Sequence, residues 1–322
     1  MIALVAWFLW WIFGRAGARP ETQLAVLLMA PALAVIVLIA LYPLFQTFLL
    51  SLQDYNLKRP HKRAFVGFQN YIDLFTDKDF IQIRTQEGNP LPRIRGAVPQ
   101  TLYFTVVSVA IEFVLGLGVA MIINRRFKGR GLVRAAVLVP WAVPTVISAR
   151  MWQLMYHDQF GVINDIMMRL GLIDKPQTWL ANPKTAMFAI IATDVWKTTP
   201  FMALLLLAGL QIISKDLYEA ASIDGAGPWR QFWNITLPML RPAILVALIF
   251  RTLDAFRVFD VIFVMTRGAS GTESLAVRNQ KVLFQFLDFG YGSTISIVIF
   301  LFILVFSILY IRVLGLRLAV GE

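Results

Sequence analysis

Six ionisable side chains lie inside stretches of the sequence that are otherwise apolar, and they are the residues best suited to chemistry. They form two groups: Asp194 and Lys197 in one stretch, and Arg251, Asp254, Arg257 and Asp260, alternating in sign, in the next. A charge at the middle of a membrane helix costs about 3 kcal/mol, so these residues are expected to pair or to line a cavity. Arginine donates hydrogen bonds in fixed directions and a carboxylate accepts them, so together they can hold a solute that carries hydroxyl groups.

The spacing of the second group leaves two interpretations open. Residues three apart are neighbours on a helix and can pair, but three residues turn a helix by about 300°, so each successive charge is rotated by about 60°. Arg251 and Asp260 therefore lie nearly opposite, and the four charges cannot all face one cavity. These charges could form a solute site or could be ion pairs that hold helices together. For Arg251 and Asp254 the solute site is favoured. Glu112 and Arg150 lie in other apolar stretches, without a pattern.

A proline interrupts the first of these stretches, where Thr198 and Thr199 precede Pro200. Proline cannot bind the carbonyl oxygen four residues earlier, so local unwinding of the helix is expected there. Unwound backbone and threonine hydroxyls together could contact a polar solute inside a membrane.

The composition indicates several membrane-spanning helices. Of the 322 residues, 58% are hydrophobic and 15% are charged, and the mean hydropathy is +0.68. The net charge of +11 is spread between apolar stretches, which is typical of residues that flank a membrane rather than of a nucleic-acid surface. The chain has no cysteine, and His61 and His157 lie far apart, so a metal site is not expected. The absence of a Gly-Lys dipeptide excludes a P-loop.

The apolar stretches predict six spanning helices: 24–52, 98–123, 132–155, 185–213, 243–266 and 292–313. Residues 1–13 are too short to cross a core of roughly 30 Å, and they predict an interfacial helix in an N-terminal segment 1–20, with a short extra span as the alternative. Residues 21–322 form the predicted membrane domain, and part of 156–184 is predicted to be helical. The loop 124–134 holds five basic residues and no acid, so it, both termini and residues 214–242 are predicted to be cytoplasmic, with 53–97 outside.

The polar segment 214–242 is predicted to form two short helices joined by a sharp bend. Ser214 is a favourable N-cap for a first helix of about nine residues. Gly225 and Gly227 allow the chain to leave that helix through positive φ, and Pro228 suits the first position of the second helix. Pro238 and Pro242 are expected to end the second helix.

This segment resembles the cytoplasmic EAA loop of ABC importer permeases. Its signature residues stand at the spacing of that loop: Glu219, Ala220, Ala221, Asp224, Gly225, Ala226, Phe232, Ile235, Leu237, Pro238 and Pro242. In the family this loop is a coupling helix that docks in a groove of the ATP-hydrolysing subunit. The resemblance therefore assigns ATPase coupling to Glu219, Ala220, Ala221, Asp224, Gly225 and Ala226.

Residues from about 24 to 315 are similar to MalF-like permeases of carbohydrate importers of the maltose and trehalose type, most clearly at Trp196–Phe201 and Arg251–Phe256. The resemblance implies an all-α, six-span ABC importer permease fold and a disaccharide as the solute. The implied sugar-binding residues are Asp194, Lys197, Thr198, Phe201, Arg251, Asp254 and Ala255. At most of these positions the chain departs from the maltose pattern, with charges where that permease has neutral groups, so a disaccharide held by charged hydrogen bonds is expected.

The resemblance also implies the partners and the location. A second permease subunit would complete a heterodimer, two ATPase subunits would bind ATP and Mg, and an extracytoplasmic protein would deliver the sugar across the bacterial cytoplasmic membrane. No cofactor and no metal are expected in this chain, which is predicted not to be an enzyme. One alternative is an ABC permease for another solute, such as glycerol phosphate, held by Lys197 and Arg251. The other is a membrane-embedded enzyme with Asp194 or Asp254 as acid or base, which would leave 214–242 unexplained.

Overall fold

The computed structural model describes Trp7, residues 28–29, 31–77, 79–84 and 93–313. The chain divides into two compact units, unit 1 (residues 1–74 and 282–298) and unit 2 (residues 75–281 and 299–322). Apart from Trp7, the predicted interfacial helix 1–13 and the rest of the segment 1–20 lie outside the described residues.

The described part of the chain is mainly helical. Its helices are α1 (Pro31–Ser51), α2 (Gln69–Thr76), α3 (Ala97–Asn124), α4 (Arg130–Ala142), α5 (Thr145–Met155), α6 (Val162–Arg169), α7 (Ala186–Ile212), α8 (Lys215–Ile223), α9 (Pro228–Gln231), α10 (Leu237–Phe256), α11 (Asp260–Met265), α12 (Leu275–Gln280) and α13 (Phe289–Val313). The antiparallel strand pairs are β1 (Gln53–Asp54) with β2 (Ala64–Phe65), and β3 (Gln82–Arg84) with β4 (Arg93–Arg95). Wider π-helical turns cover Val37–Leu41, Phe232–Thr236 and Lys281–Gln285, and a 3-10 turn covers Pro60–Lys62.

Unit 1 is organised around the end of α1. The carbonyl oxygen of Ser51, a buried residue, accepts hydrogen bonds from Asn70 Nδ2 at 2.9 Å and from Thr294 Oγ1 at 3.2 Å. Gly290 lies so close to the carbonyl oxygen of Gln53 that a Cβ would overlap it. The start of α13 and the residues after α1 therefore pack backbone against backbone, which requires glycine at position 290.

Five of the described helical segments are long and apolar enough to cross a membrane: Pro31–Ser51, Ala97–Asn124, Ala186–Ile212, Pro228–Met265 and Phe289–Arg312. The predicted spans 24–52, 98–123, 185–213, 243–266 and 292–313 correspond to these. The predicted span 132–155 is wrong as a single helix, because α4 and α5 meet at an angle of 87°. Pro144 causes the break: it holds Val143 in an extended conformation (φ −75°, ψ 132°) and precedes the first residue of α5.

The second helix of the 214–242 segment does not end at the two prolines, and that prediction is wrong. Pro238 lies in the first turn of α10 and Pro242 lies inside the same helix. In the π-helical turn before α10, the N–H of Leu237 donates to the carbonyl oxygen of Phe232, five residues back. The first turn of a helix tolerates proline because its N–H groups need no partner within the helix. The helical segment Pro228–Met265 therefore continues through both prolines.

The core of unit 2 is built on α7, which packs against α3 and α10. Glycines make these contacts close: a Cβ on Gly116 of α3 would lie 2.7 Å from Cγ of Met202, and a Cβ on Gly209 would overlap Ala243. The helix predicted within 156–184 is confirmed as α6. Buried Asn164 joins α6 to the following loop by accepting a hydrogen bond from Trp179 Nε1 at 2.7 Å.

Candidate functional site

Three helices of unit 2 bring four charged side chains together, which we call the charge cluster: Glu112 of α3, Asp194 of α7, and Arg251 and Asp254 of α10. Arg251 lies at its centre. Its Nε donates to Glu112 Oε2, and its Nη2 donates to Glu112 Oε1 at 2.9 Å and to Asp194 Oδ2. Its Nη1 donates to Asp254 Oδ2 at 2.9 Å.

Burial differs sharply across the charge cluster. Glu112 is 0% exposed, Arg251 2% and Asp194 7%, whereas the side chain of Asp254 is 65% exposed. Buried charges are stable only when paired and hydrogen-bonded, and Glu112, Asp194 and Arg251 meet this condition. The cluster therefore has a closed end at Glu112 and an open end at Asp254.

The helix α7 continues through Pro200, so the predicted unwinding is wrong. A membrane helix tolerates proline when side chains and neighbouring helices satisfy the freed groups. The hydroxyl of Thr198 lies 2.6 Å from the carbonyl oxygen of Asp194 and 2.8 Å from Glu112 Oε1. It has one hydrogen to donate, so it serves one of these acceptors at a time and supports the closed end of the charge cluster.

Among the described residues, Lys197 forms no ion pair with an acid, and it lies beside an aromatic pair. Its Nζ donates to the carbonyl oxygen of Trp141 at 3.4 Å. The rings of Trp141 and Phe201 stack with centroids 5.8 Å apart and planes 13° apart. Trp141 is 47% exposed whereas Phe201 is half-buried. Trp141 was not predicted from the sequence, because its place beside Phe201 depends on the packing of α4 against α7.

Other predicted residues lie outside the charge cluster. Ala255 is buried. Arg257 follows the last residue of α10 and Asp260 begins α11, so the helix on which the four charges were expected to alternate is broken. Arg251 forms an ion pair with Asp254. Among the described residues, Arg257 and Asp260 form no ion pair. Arg150 is exposed and donates to Gln153 Oε1 at 2.9 Å.

The segment 214–242 forms a protruding hairpin. As predicted, α8 has nine residues, Ser214 caps it by accepting from the N–H of Asp216 at 3.2 Å, and Gly225 has φ +77°. The prediction for Gly227 is wrong, because its φ is −69°. Gln231 ties the two arms together by donating to Ser222 Oγ of α8 at 2.8 Å, and it also donates to the carbonyl oxygen of Ala226 in the turn at 2.9 Å.

The surface of α8 combines exposed polar and apolar groups. Glu219, Ala220 and Asp224 are exposed, Ala221 and Ala226 are half-buried, and Ile223 is 87% exposed. An exposed apolar side chain such as Ile223, on the same helix as the small residues Ala220 and Ala221, is typical of a surface that binds another protein.

Several described helices are long and apolar enough to cross a membrane, which indicates an integral membrane protein. The chain belongs to the family of binding-protein-dependent transport system inner membrane components, whose model matches residues 112–318. It is therefore a permease subunit of an ABC importer and not an enzyme, and the predicted importer permease fold is confirmed.

Individual relatives cover nearly the whole chain. The trehalose/maltose transport system permease protein of Thermococcus litoralis is 45% identical over 294 residues, which are 91% of this chain and 94% of that protein. The trehalose transport system permease protein of Mycobacterium tuberculosis is 39% identical over 312 residues, 97% of this chain and 95% of that one. A chain of the solved bacterial alginate ABC transporter shares the fold, with a TM-score of 0.75 at 20% identity over 94% of this chain and 97% of its own.

Proposed function

We propose that the chain is one permease half of a heteromeric importer that moves a disaccharide of the trehalose or maltose class by ATP-driven alternating access. The observation that carries the proposal is the open end of the charge cluster, where the carboxylate of Asp254 is exposed in unit 2. The names of the two relatives support the solute class. A disaccharide brings many hydroxyl groups and no net charge, so its site needs hydrogen-bond acceptors and donors side by side.

The proposed sugar site comprises the predicted residues Asp194, Lys197, Thr198, Phe201, Arg251, Asp254 and Ala255, together with Trp141. Asp254 supplies the most accessible acceptor of the charge cluster, and Lys197 supplies a cationic donor. Trp141 and Phe201 supply an aromatic surface of the kind that lines small-molecule sites. Asp194, Thr198 and Arg251 bind one another and Glu112, so in this conformation their role is to hold the site together.

The pairing of Arg251 favours a neutral solute over an anionic one. The guanidinium that would have to bind a phosphate already binds three carboxylates, those of Glu112, Asp194 and Asp254. A phosphorylated solute such as glycerol phosphate would have to displace one of them, so this alternative is less favoured than a neutral sugar.

The partners follow from the permease class. A second permease subunit would complete the pathway, an extracytoplasmic sugar-binding protein would deliver the solute, and two ATPase subunits would bind ATP and Mg. The hairpin 214–242 would dock on the ATPase through Glu219, Ala220, Ala221, Asp224, Gly225 and Ala226. The exposure of Glu219, Ala220 and Asp224 supports this role. The chain would lie in the cytoplasmic membrane with both termini and this hairpin in the cytoplasm.

Replacing Asp254 tests the proposed site. Asp254→Ala removes the open acceptor, and a hydrogen bond to a charged group contributes about 1.5–3 kcal/mol, so uptake of labelled disaccharide should fall about tenfold or more. The reconstituted importer should still assemble, as gel filtration of the complex will report. The matched control is Asp165→Ala, which removes an exposed carboxylate paired with Arg169 on α6 and should leave uptake unchanged. If Asp254→Asn and Phe201→Ala both transport the sugar with unchanged affinity and rate, the site lies elsewhere.

A further inference from the structure

Glu112 is a buried carboxylate that is not among the proposed sugar-binding residues, although it binds two of them. It lies near the middle of α3, a helix of 28 residues, and is 0% exposed. Its Oε1 accepts from Arg251 Nη2 at 2.9 Å and from Thr198 Oγ1 at 2.8 Å, and its Oε2 accepts from Arg251 Nε. No solute could reach Glu112 in this conformation, so any effect on transport must pass through its partners.

The donors of Arg251 show what Glu112 does. A guanidinium has five N–H groups in one plane. Two of those on Arg251 bind the two oxygens of Glu112, one binds Asp194 and one binds Asp254. The two-pronged contact with Glu112 fixes the plane of the guanidinium, because both prongs must stay aligned. One donor, on Nη1, is left beside Asp254.

Asp254 is the group that this fixed plane orients. Its Oδ2 accepts from Arg251 Nη1 at 2.9 Å, whereas its Oδ1 has no hydrogen-bond partner in the part of the chain that the structure describes. An exposed carboxylate without such a tether would sample several rotamers. With one oxygen held, the other points in a defined direction and is ready to accept a hydroxyl.

We propose that Glu112 is the positioning residue of the sugar site: it fixes the guanidinium of Arg251, which holds Asp254 in the orientation that accepts the sugar. This inference rests on the proposed sugar contact of Asp254. The competing role is purely structural, with Glu112, Asp194 and Arg251 acting only to hold α3, α7 and α10 together. Breaking a buried pair destabilises a protein under either role, so stability alone cannot separate the two.

Transport kinetics separate them. The importer is reconstituted in proteoliposomes with its sugar-loaded binding protein, and the maximal uptake rate and the half-saturating concentration of loaded binding protein are measured. Glu112→Gln keeps the shape of the side chain but loses one acceptor oxygen and the charge. The maximal rate should fall about tenfold, because a charged hydrogen bond is lost, while the half-saturating concentration stays the same. Glu273→Gln, which alters a carboxylate paired with Lys281 at 2.7 Å outside the cluster, is the control and should change neither value.

Combining variants makes the test decisive. If Glu112 acts through Asp254, the double variant Glu112→Gln/Asp254→Asn should be no slower than Asp254→Asn alone. The melting temperature of each complex is measured alongside, because Glu112→Gln weakens a buried ion pair, and rates are compared only between complexes that remain folded.

Two results would overturn the inference while the proposed function stands. One is a double variant Glu112→Gln/Asp254→Asn whose fold-loss in rate is the product of the two single losses. The other is an unchanged rate in Glu112→Gln. An unchanged rate in Asp254→Asn instead contradicts the proposed sugar contact itself, and the positioning role fails with it.

Discussion

At the scale of single residues, Gly225 shows how one backbone angle shapes the hairpin 214–242. Its φ of +77° directs the chain out of α8 and into the turn before Pro228. No atom lies within 4 Å of the place where a Cβ would be, so the requirement for glycine is one of backbone conformation alone. Residues other than glycine, and especially β-branched ones, are strained at such angles.

Gly225→Val should therefore distort the hairpin at a cost of about 1–2 kcal/mol. We expect transport-linked ATP hydrolysis to be lost while the chain still inserts in the membrane, as measured by sugar-stimulated ATPase activity of the purified complex. Gly225→Asn should retain activity, because asparagine adopts positive φ more readily. Gly227→Val is the matched control, since Gly227 has φ −69° and the same open surroundings. Normal stimulated activity in Gly225→Val would contradict the coupling role of this turn.

The charge cluster was only partly predictable at this scale. Spacing along one helix allowed Arg251 to pair with Asp254, and this local contact is present. The two-pronged contact with Glu112 joins residues 139 positions apart, and nothing in one sequence fixes which faces of α3 and α10 meet. A signal did exist: a lone carboxylate in a long apolar helix must find a cation or a donor. That reasoning identifies Glu112 as important without identifying its partner.

At the scale of elements, the close approach of α3 and α7 depends on glycine. A Cβ on Gly116 would meet Met202 Cγ at 2.7 Å and the backbone nitrogen of Ala203 at 3.2 Å. Because Glu112 lies one turn before Gly116 on α3, this contact also sets how near Glu112 comes to Thr198. Lipid tails are as apolar as the side chains, so the hydrophobic effect does not drive helices together inside a membrane. Close packing through small residues drives their association instead.

Gly116→Val should force α3 and α7 apart, and overpacking of this kind costs about 1–3 kcal/mol. We expect a lower melting temperature of the detergent-solubilised complex and slower sugar uptake. Gly118→Val on the same helix is the control, because no atom lies within 4 Å of its Cβ position, and it should leave both measurements unchanged. Equal behaviour of the two variants would contradict the inferred tight contact.

Helix boundaries could be predicted where capping residues and backbone preferences determine them. They could not be predicted at prolines that lie inside packed helices. Ser214, the length of α8 and Pro228 followed from capping and backbone preferences. Pro200, Pro238 and Pro242 read as breaks or stops, yet all three lie within helices. Pro144 reads like the others in the sequence and does end a helix. A carbonyl oxygen freed by proline needs a donor from a neighbouring group or helix, and one sequence does not reveal where such donors lie.

At the scale of the whole molecule, the bent pair α4 and α5 decides the topology. With 13 and 11 residues, these helices are about 20 Å and 16 Å long, so neither crosses a core of roughly 30 Å alone. If together they cross the membrane, the residues before α4 and the hairpin after α7 lie on the same side. If they enter and return on one side, these two segments lie on opposite sides, because α7 has 27 residues and can cross alone.

Introduced cysteines distinguish these topologies, because the chain has none of its own. Lys128 and Lys215 are exposed and flank α4 and α8, while Asp174 is exposed in the loop between α6 and α7. We expect Asp174→Cys to react with an impermeant maleimide in intact cells, and Lys128→Cys and Lys215→Cys to react only after the membrane is permeabilised. This result follows from six spans with the basic loop 124–134 in the cytoplasm. Labelling of all three after permeabilisation controls for accessibility. Reaction of Lys128→Cys in intact cells contradicts the orientation, and reaction of Lys215→Cys alone indicates that α4 and α5 do not cross.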